Sequence, residues 1–229
     1  DSIARGKDLQ FHYNEKFIVY TIGTQFDSLR RLQLDKVKED KFPKDTLGIY
    51  WLKEDSTELV ANIKSYKLAK EGDWLAYLLA DDERANCREF KSKIKKKKNK
   101  CDRPKTTGTT LILFNALTKI KKEIHQVKEY RFNEKGTQLV YVTSLKGESD
   151  SLSLNVLDLN CIECEFSFND KPDNNFLISN TLSIKSISFD EKGNQLVFLA
   201  SSDTNKVKTY TLEYWNTDLT ESQTIIDTI

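Results

Sequence analysis

Phe132-Asn133-Glu134-Lys135-Gly136-Thr137-Gln138-Leu139-Val140-Tyr141-Val142 aligns without a gap to Phe189-Asp190-Glu191-Lys192-Gly193-Asn194-Gln195-Leu196-Val197-Phe198-Leu199. Each copy reads as the end of one strand, a tight turn and a second strand. Asn or Asp starts the turn, and Gly supplies the positive φ that the turn requires. The run that follows is β-branched and aromatic, the composition of a pleated, half-buried strand.

Weaker copies lie upstream. Glu71-Gly72-Asp73-Trp74-Leu75-Ala76-Tyr77 matches the turn and second strand, and Asn14-Glu15-Lys16-Phe17-Ile18-Val19-Tyr20 matches again without the Gly. The ring residues Tyr20, Tyr77, Tyr141 and Phe198 therefore recur at near-equal steps. Each cassette is followed by a third strand, at 48–52, 110–115, 152–159 and 208–215. Candidate fourth strands lie at 58–61, 121–127, 165–168 and 223–228.

Four antiparallel strands repeated four times are the signature of β-propeller blades. The expectation is an all-β chain, a partial β-propeller over 1–229 with blades at 9–61, 63–127, 128–182 and 184–229. A plain β-sandwich is the competing reading, but sandwiches seldom repeat a strand–turn–strand cassette at a fixed period. Blades this long point to four members of a larger ring, and a part-ring exposes edge strands.

Composition narrows the function. The 229 residues hold 36 basic and 35 acidic side chains, a net charge of +1, which argues against a globally basic nucleic-acid binder. No apolar run is long enough to span a membrane as a helix. The chain starts at Asp1 without Met and ends in an apolar, strand-like stretch, so it reads as a piece of a longer protein.

Two insertions interrupt the blades. At 25–46, the segment 26–37 has the pattern of a short amphipathic helix with Asp27 or Ser28 as cap. At 81–108, a lysine run carries Lys95, Lys96, Lys97 and Lys98. It reads as a solvated loop, with contact to an anionic phosphate backbone or lipid as the alternative.

The cysteines are Cys87, Cys101, Cys161 and Cys164. Cys87 and Cys101 bracket the lysine run, and a disulfide between them would suit an oxidising compartment. Cys161-Ile162-Glu163-Cys164 lacks the second pair of a zinc ribbon and lies among alternating strand residues, so both read as ordinary strand cysteines. No nucleophile elbow, P-loop, dinucleotide fingerprint or zincin motif occurs. The two histidines, His12 and His125, fall in strand-like positions and read as strand or turn residues rather than general bases. No catalytic residue, cofactor or metal site is expected in this chain.

Gln25-Phe26-Asp27-Ser28-Leu29-Arg30-Arg31-Leu32, followed by Pro43-Lys44-Asp45-Thr46-Leu47-Gly48-Ile49-Tyr50, resembles the N-terminal propeller of Bacteroidota-type S9 peptidases, relatives of prolyl oligopeptidase and the dipeptidyl peptidases. The cassette at 189–201 is similar to that family's strand–turn–strand. The resemblance implies a ring of seven or eight blades capping a C-terminal α/β-hydrolase domain. It implies a peptide substrate, a catalytic triad beyond Ile229 and export to the periplasm. The paired glutamates with which the dipeptidyl branch holds a substrate amino terminus have no counterpart here, because no Glu-Glu occurs. A free-standing propeller scaffold for protein partners is the alternative.

Overall fold

The computed structural model describes residues 4–80, 108–145, 151–160, 176–205 and 208–227. The four cysteines, Lys95 to Lys98 and the candidate strand at 165–168 lie outside the described residues.

Among the described residues fourteen strands follow one another, each pairing antiparallel with the next within two sheets. The first blade is β1 (Gly6–Phe11), β2 (Phe17–Ile22), β3 (Asp45–Trp51) and the first half of β4 (Ser56–Leu68). The second takes the other half of β4, then β5 (Trp74–Leu79), β6 (Thr109–Asn115) and the first half of β7 (Lys121–Phe132). The third continues with the rest of β7, β8 (Gln138–Leu145), β9 (Ser151–Asp158) and β10 (Phe176–Thr181). The fourth is β11 (Ser183–Phe189), β12 (Gln195–Ser201), β13 (Thr211–Asn216) and β14 (Gln223–Ile226).

Strands β4 and β7 carry the chain from one blade into the next. Each bends at a residue in the left-handed region, Asn62 (φ 60°) and Gln126 (φ 63°). Pairing on both sides slips there, as in a β-bulge, which raises the local twist and swings the following strand away. Asn180 (φ 59°) marks the third crossing, between β10 and β11.

Strand alternation then gives every blade two faces. In β2, Phe17 and Val19 face the second blade, while Ile18, Tyr20 and Ile22 face away from it. Three buried seams result. Phe17, Ile49 and Trp51 meet Tyr77, Ile112 and Phe114. Trp74, Ala76 and Leu113 meet Tyr130 and Leu139. Val140, Val142 and Leu154 meet Leu196, Phe198 and Trp215. The recurring ring residues Tyr77, Tyr141 and Phe198 all face the preceding blade.

Tyr20 occupies the same position in the first blade, where no preceding blade exists among the described residues. Its ring lies flat across Gly48, where a Cβ would stand 2.3 Å from the Tyr20 ring. That close approach explains the glycine within 43–50.

The insertion after β2 forms helix α1 (Phe26–Leu34) and a 3-10 turn (Glu39–Lys41). Two details differ from the sequence reading. The cap is Gln25, which makes no side-chain capping bond, and Asp27 sits inside the first turn. There its carboxylate favours the positive end of the helix dipole. The helix also stops at Leu34 rather than continuing to 37. None of its residues is buried, so no tertiary packing extends it. In the third blade β10 pairs with β9, and the candidate strand at 165–168 lies outside the described residues. Among the described residues no helix is long and apolar enough to cross a membrane.

Candidate functional site

The four β-turns that open the second strands stand in a row, each seated on the next. In the first blade the leading position is His12. Its Nδ1 accepts from the Asn14 N–H (3.3 Å), so the proton sits on Nε2, which donates to the Gly72 carbonyl of the second turn (3.2 Å). The imidazole stacks on Phe17 at 4.6 Å between centroids. Asp73 lies 3.4 Å from Nε2 and pairs with Lys16 at 2.8 Å. Burial pushes the His12 pKa below its ordinary value, outweighing the attraction of Asp73.

Ala69 holds the leading position in the second blade. Without a long side chain there, the backbones close directly, and a Cβ on Gly136 would fall 1.8 Å from the Glu71 carbonyl oxygen. In the third blade Asn133 Oδ1 accepts from the Thr137 N–H (2.9 Å) and the Gln138 N–H (3.1 Å). Asn133 Nδ2 donates to the Gly193 carbonyl of the fourth turn (3.2 Å). Asp190 ends the row. It accepts from the Gln195 N–H (2.9 Å) and Asn194 N–H (2.8 Å), and these backbone donors hold its carboxyl below the usual range.

This row assigns His12 a structural role, since it is 1% exposed with both nitrogens engaged. His125 bonds through Nδ1 to the Thr110 hydroxyl (3.2 Å) on the exposed part of β7. Neither arrangement supplies a nucleophile and base in register. Among the described residues no group of three His, Cys, Asp or Glu is placed to hold a metal ion.

Three polar features escaped the sequence reading. Glu213 is buried in β13, with no cation paired to it among the described residues. Its oxygens accept from the hydroxyls of Thr211 (2.8 Å), Thr224 (2.8 Å) and Ser222 (3.1 Å). The only signal was a Glu on the apolar period shared with Trp215. At the end of the fourth blade opposite the turns, Asp203 accepts from the Asn205 N–H (2.9 Å) and the Thr209 hydroxyl (3.3 Å), and its carboxyl is held low chiefly by the Asn205 bond. Beside it Tyr210 meets Ser183 (3.3 Å) and is lowered chiefly by Lys185. The third feature is Gln138, buried on the seam between the third and fourth blades, whose Oε1 has no partner.

Among the described residues both ends of the array are open. Strand β1 is exposed throughout, with Leu9 at 57% and Phe11 at 58%. On the fourth blade Val197, Leu199, Leu212, Tyr214 and Ile226 lie on the face turned away from the third. Of these, Val197 and Ile226 are exposed.

Comparison with solved structures identifies this architecture. The β-propeller domain of the trilobed protease from Pyrococcus furiosus is similar at TM-score 0.53 and 12% identity, over 100% of this chain and 59% of that chain. A prolyl endopeptidase is similar at TM-score 0.55 and 6% identity, over 98% of this chain and 30% of that chain. An oligogalacturonate lyase in complex with manganese is similar at TM-score 0.54 and 13% identity, over 99% and 55%. The chain spans less than two thirds of the length of each. No protein-family model matches the sequence, and no curated protein matches it. These likenesses establish the β-propeller fold, with its ring open in this chain.

Proposed function

We propose that this chain is a non-catalytic part of the propeller of an S9-type serine peptidase, restricting and positioning peptide substrates for a C-terminal α/β-hydrolase domain of the same polypeptide. The observation that carries the reading is the pair of apolar faces left open on the first and fourth blades. A monomer rarely leaves such faces to water, and further blades of a seven- or eight-membered ring would cover both. The 25–46 insertion and the 43–50 stretch add the family resemblance, and two of the similar structures are proteases. The lyase shows that the fold alone does not select the chemistry.

The reading frame beyond Ile229 is the decisive test. It is expected to encode more blades and then a G-x-S-x-G elbow. The purified 229-residue chain should not hydrolyse small chromogenic peptides, whereas the full product should cleave short peptides and spare folded proteins. A stop codon close after Ile229, or hydrolysis by this chain alone, would overturn the proposal.

Export to the periplasm belongs to the same reading. It is supported by the family resemblance and by the spacing of Cys87 and Cys101, and a Cys87–Cys101 bridge found by mass spectrometry of the native protein would support it further. If the ring instead closes without a hydrolase, the chain is a scaffold for protein partners.

A further inference from the structure

The first strand of each blade carries a lysine at one fixed place. Lys7, Lys64, Lys128 and Lys185 each stand five residues before the residue that leads the turn, which is His12, Ala69, Asn133 or Asp190. The pairing register slips at or beside each of them. Lys64 and Lys128 are the extra residues of β-bulges, with no residue opposite them on the neighbouring strand.

These first strands converge. The Tyr66 hydroxyl donates to the Asp8 carbonyl, Lys67 Nζ donates to the Tyr130 carbonyl (3.1 Å), and the Ser65 and Tyr130 hydroxyls meet at 3.4 Å. Each contact joins the first strand of one blade to the first strand of the next. Propeller blades splay outward from their axis, so strands that approach this closely are the inner ones and line the central channel. Residues 65–68 pair with β5 alone and 129–132 with β8 alone, so among the described residues their other edges are free.

The four lysines differ in what neutralises them. Lys7 pairs with Asp45 at 2.8 Å, on the third strand of its blade. Lys185 lies 4.9 Å from the ring centre of Tyr210, which holds the corresponding place in the fourth blade. The same register puts Thr109 and Leu152 at that place in the second and third blades, and neither carries a charge. Lys64 and Lys128 have no hydrogen-bonded or ion-pair partner among the described residues.

Three residues nearer the turns, the same two strands carry Lys67 and Arg131. Partial burial lowers the Lys67 pKa, and the Arg131 guanidinium lowers it further against the pull of Glu129. Like charges therefore face each other across the second seam, and Glu129 is the one carboxylate on residues 64–68 and 128–132. Lys64 and Arg131 are exposed and Lys128 is half-buried. A channel wall of one sign concentrates ligands of the other. A guanidinium beside ammonium groups suits carboxylates. A free strand edge offers N–H and C=O groups to an extended peptide backbone.

We infer that the inner strands of the second and third blades form a binding wall for an acidic peptide, with Lys64, Lys128 and Arg131 holding its carboxylates while its backbone runs along a free strand edge. The peptide's role as a substrate rests on the peptidase reading, whereas its binding is read from this wall.

The test is fluorescence anisotropy of a labelled N-acetyl-hexaglutamate amide titrated with the protein, with the hexaglutamine peptide as the comparison. The acidic peptide is expected to bind at least about tenfold more tightly, and its affinity to fall several-fold between about 50 and 300 mM salt. The combined variant Lys64→Gln, Lys128→Gln, Arg131→Gln should weaken it about tenfold or more, and Arg131→Lys alone by about threefold or less. Replacing Lys95, Lys96, Lys97 and Lys98 with Ser should change the affinity by less than about twofold, which separates this wall from the lysine run. Hexagalacturonate and a thymidine hexanucleotide, which carry similar charge on other backbones, should compete several-fold more weakly than unlabelled hexaglutamate. Thermal melts establish that each variant is folded, and Arg131→Gln alone decides the matter if the combined variant is not. Equal affinity for the two peptides, binding unchanged in the folded variant, a loss confined to the Lys95–Lys98 replacement, or equal competition by the sugar or the oligonucleotide would overturn the proposal. Those outcomes leave the peptidase reading to the sequence beyond Ile229, where it stands or fails separately.

Discussion

The first and third seams are built from the same strand–turn–strand cassette, yet they are held together differently. At the first, His12 stacks on Phe17, Phe17 packs against Trp51 at 5.0 Å, and Trp51 meets Phe114 edge-on at 6.1 Å. At the third, Asn133 gathers two backbone N–H groups and Gln138 borders a cavity. At the turn end one seam is closed by continuous ring packing and the other by the hydrogen bonds of Asn133 beside a void, although both are apolar further in. A repeat thus conserves the backbone path while each seam solves its packing anew.

The sharpest way to break that contrast is to truncate the residue in the equivalent position. Phe17→Ala removes a fully buried ring and should cost about 3–5 kcal/mol of unfolding free energy, as large-to-small core changes do. Gln138→Ala removes a polar atom that already lacks a partner, so its cost should stay below about 1 kcal/mol. Urea unfolding followed by tryptophan fluorescence measures both. Equal losses would mean that the third seam depends on Gln138 as the first depends on Phe17.

Asn133→Ala tests the polar seam at its strong point. It strips the acceptor from two backbone N–H groups, one on the buried Gln138, and unties the fourth turn at Gly193. The expected loss is about 2 kcal/mol. Asn133→Asp keeps the acceptors and loses only the donor to Gly193, so it should recover part of that loss in the same unfolding assay.

The first seam should also respond to pH where the third does not. His12 is buried neutral and its folded pKa lies below the unfolded one, near 6.5. The unfolded chain therefore takes up a proton first as pH falls. Stability should be complete above about pH 6.5, decline as pH drops below it, and level off beneath the folded pKa. Thermal melts between pH 7.5 and 5 check this. His12→Asn, which installs the third turn's residue, should flatten that slope, and an unchanged slope would place the titrating group elsewhere.

The sequence disclosed the blades because turn chemistry and strand alternation are local. Asn133, Gly136 and the apolar run after them point to strand–turn–strand wherever they occur. The helix end and its cap were less legible, because α1 buries nothing and Gln25 caps it through backbone alone. The cavity was not legible at all. Gln138 and Gln195 look equivalent in the aligned cassettes, yet Gln138 is covered by the fourth blade and Gln195 faces the open end. The buried Glu213 was hidden for the same reason, since its hydroxyl partners are assembled only when β13 meets β14 and the segment before it.

The smallest effect concerns the one turn whose cassette lacks its glycine. Gly72, Gly136 and Gly193 sit at φ 86°, 65° and 74°, and the matching residue of the first turn is Glu15 at φ 53°. The Glu15 N–H donates to the His12 carbonyl at 2.8 Å, as Gly136 does to Asn133 at 3.1 Å, so the turn geometry is shared. A residue with a Cβ pays for the left-handed conformation by roughly 1–2 kcal/mol. Glycine removes that strain but gains freedom in the unfolded chain, which offsets part of the benefit. Glu15→Gly should therefore stabilise the protein by about 0.5–1 kcal/mol, seen as a rise of a few degrees in Tm. Glu15→Ala keeps the Cβ and serves as the control for loss of the exposed carboxylate. Only if the glycine variant melts above both the parent and the alanine variant is the first turn strained by its side chain.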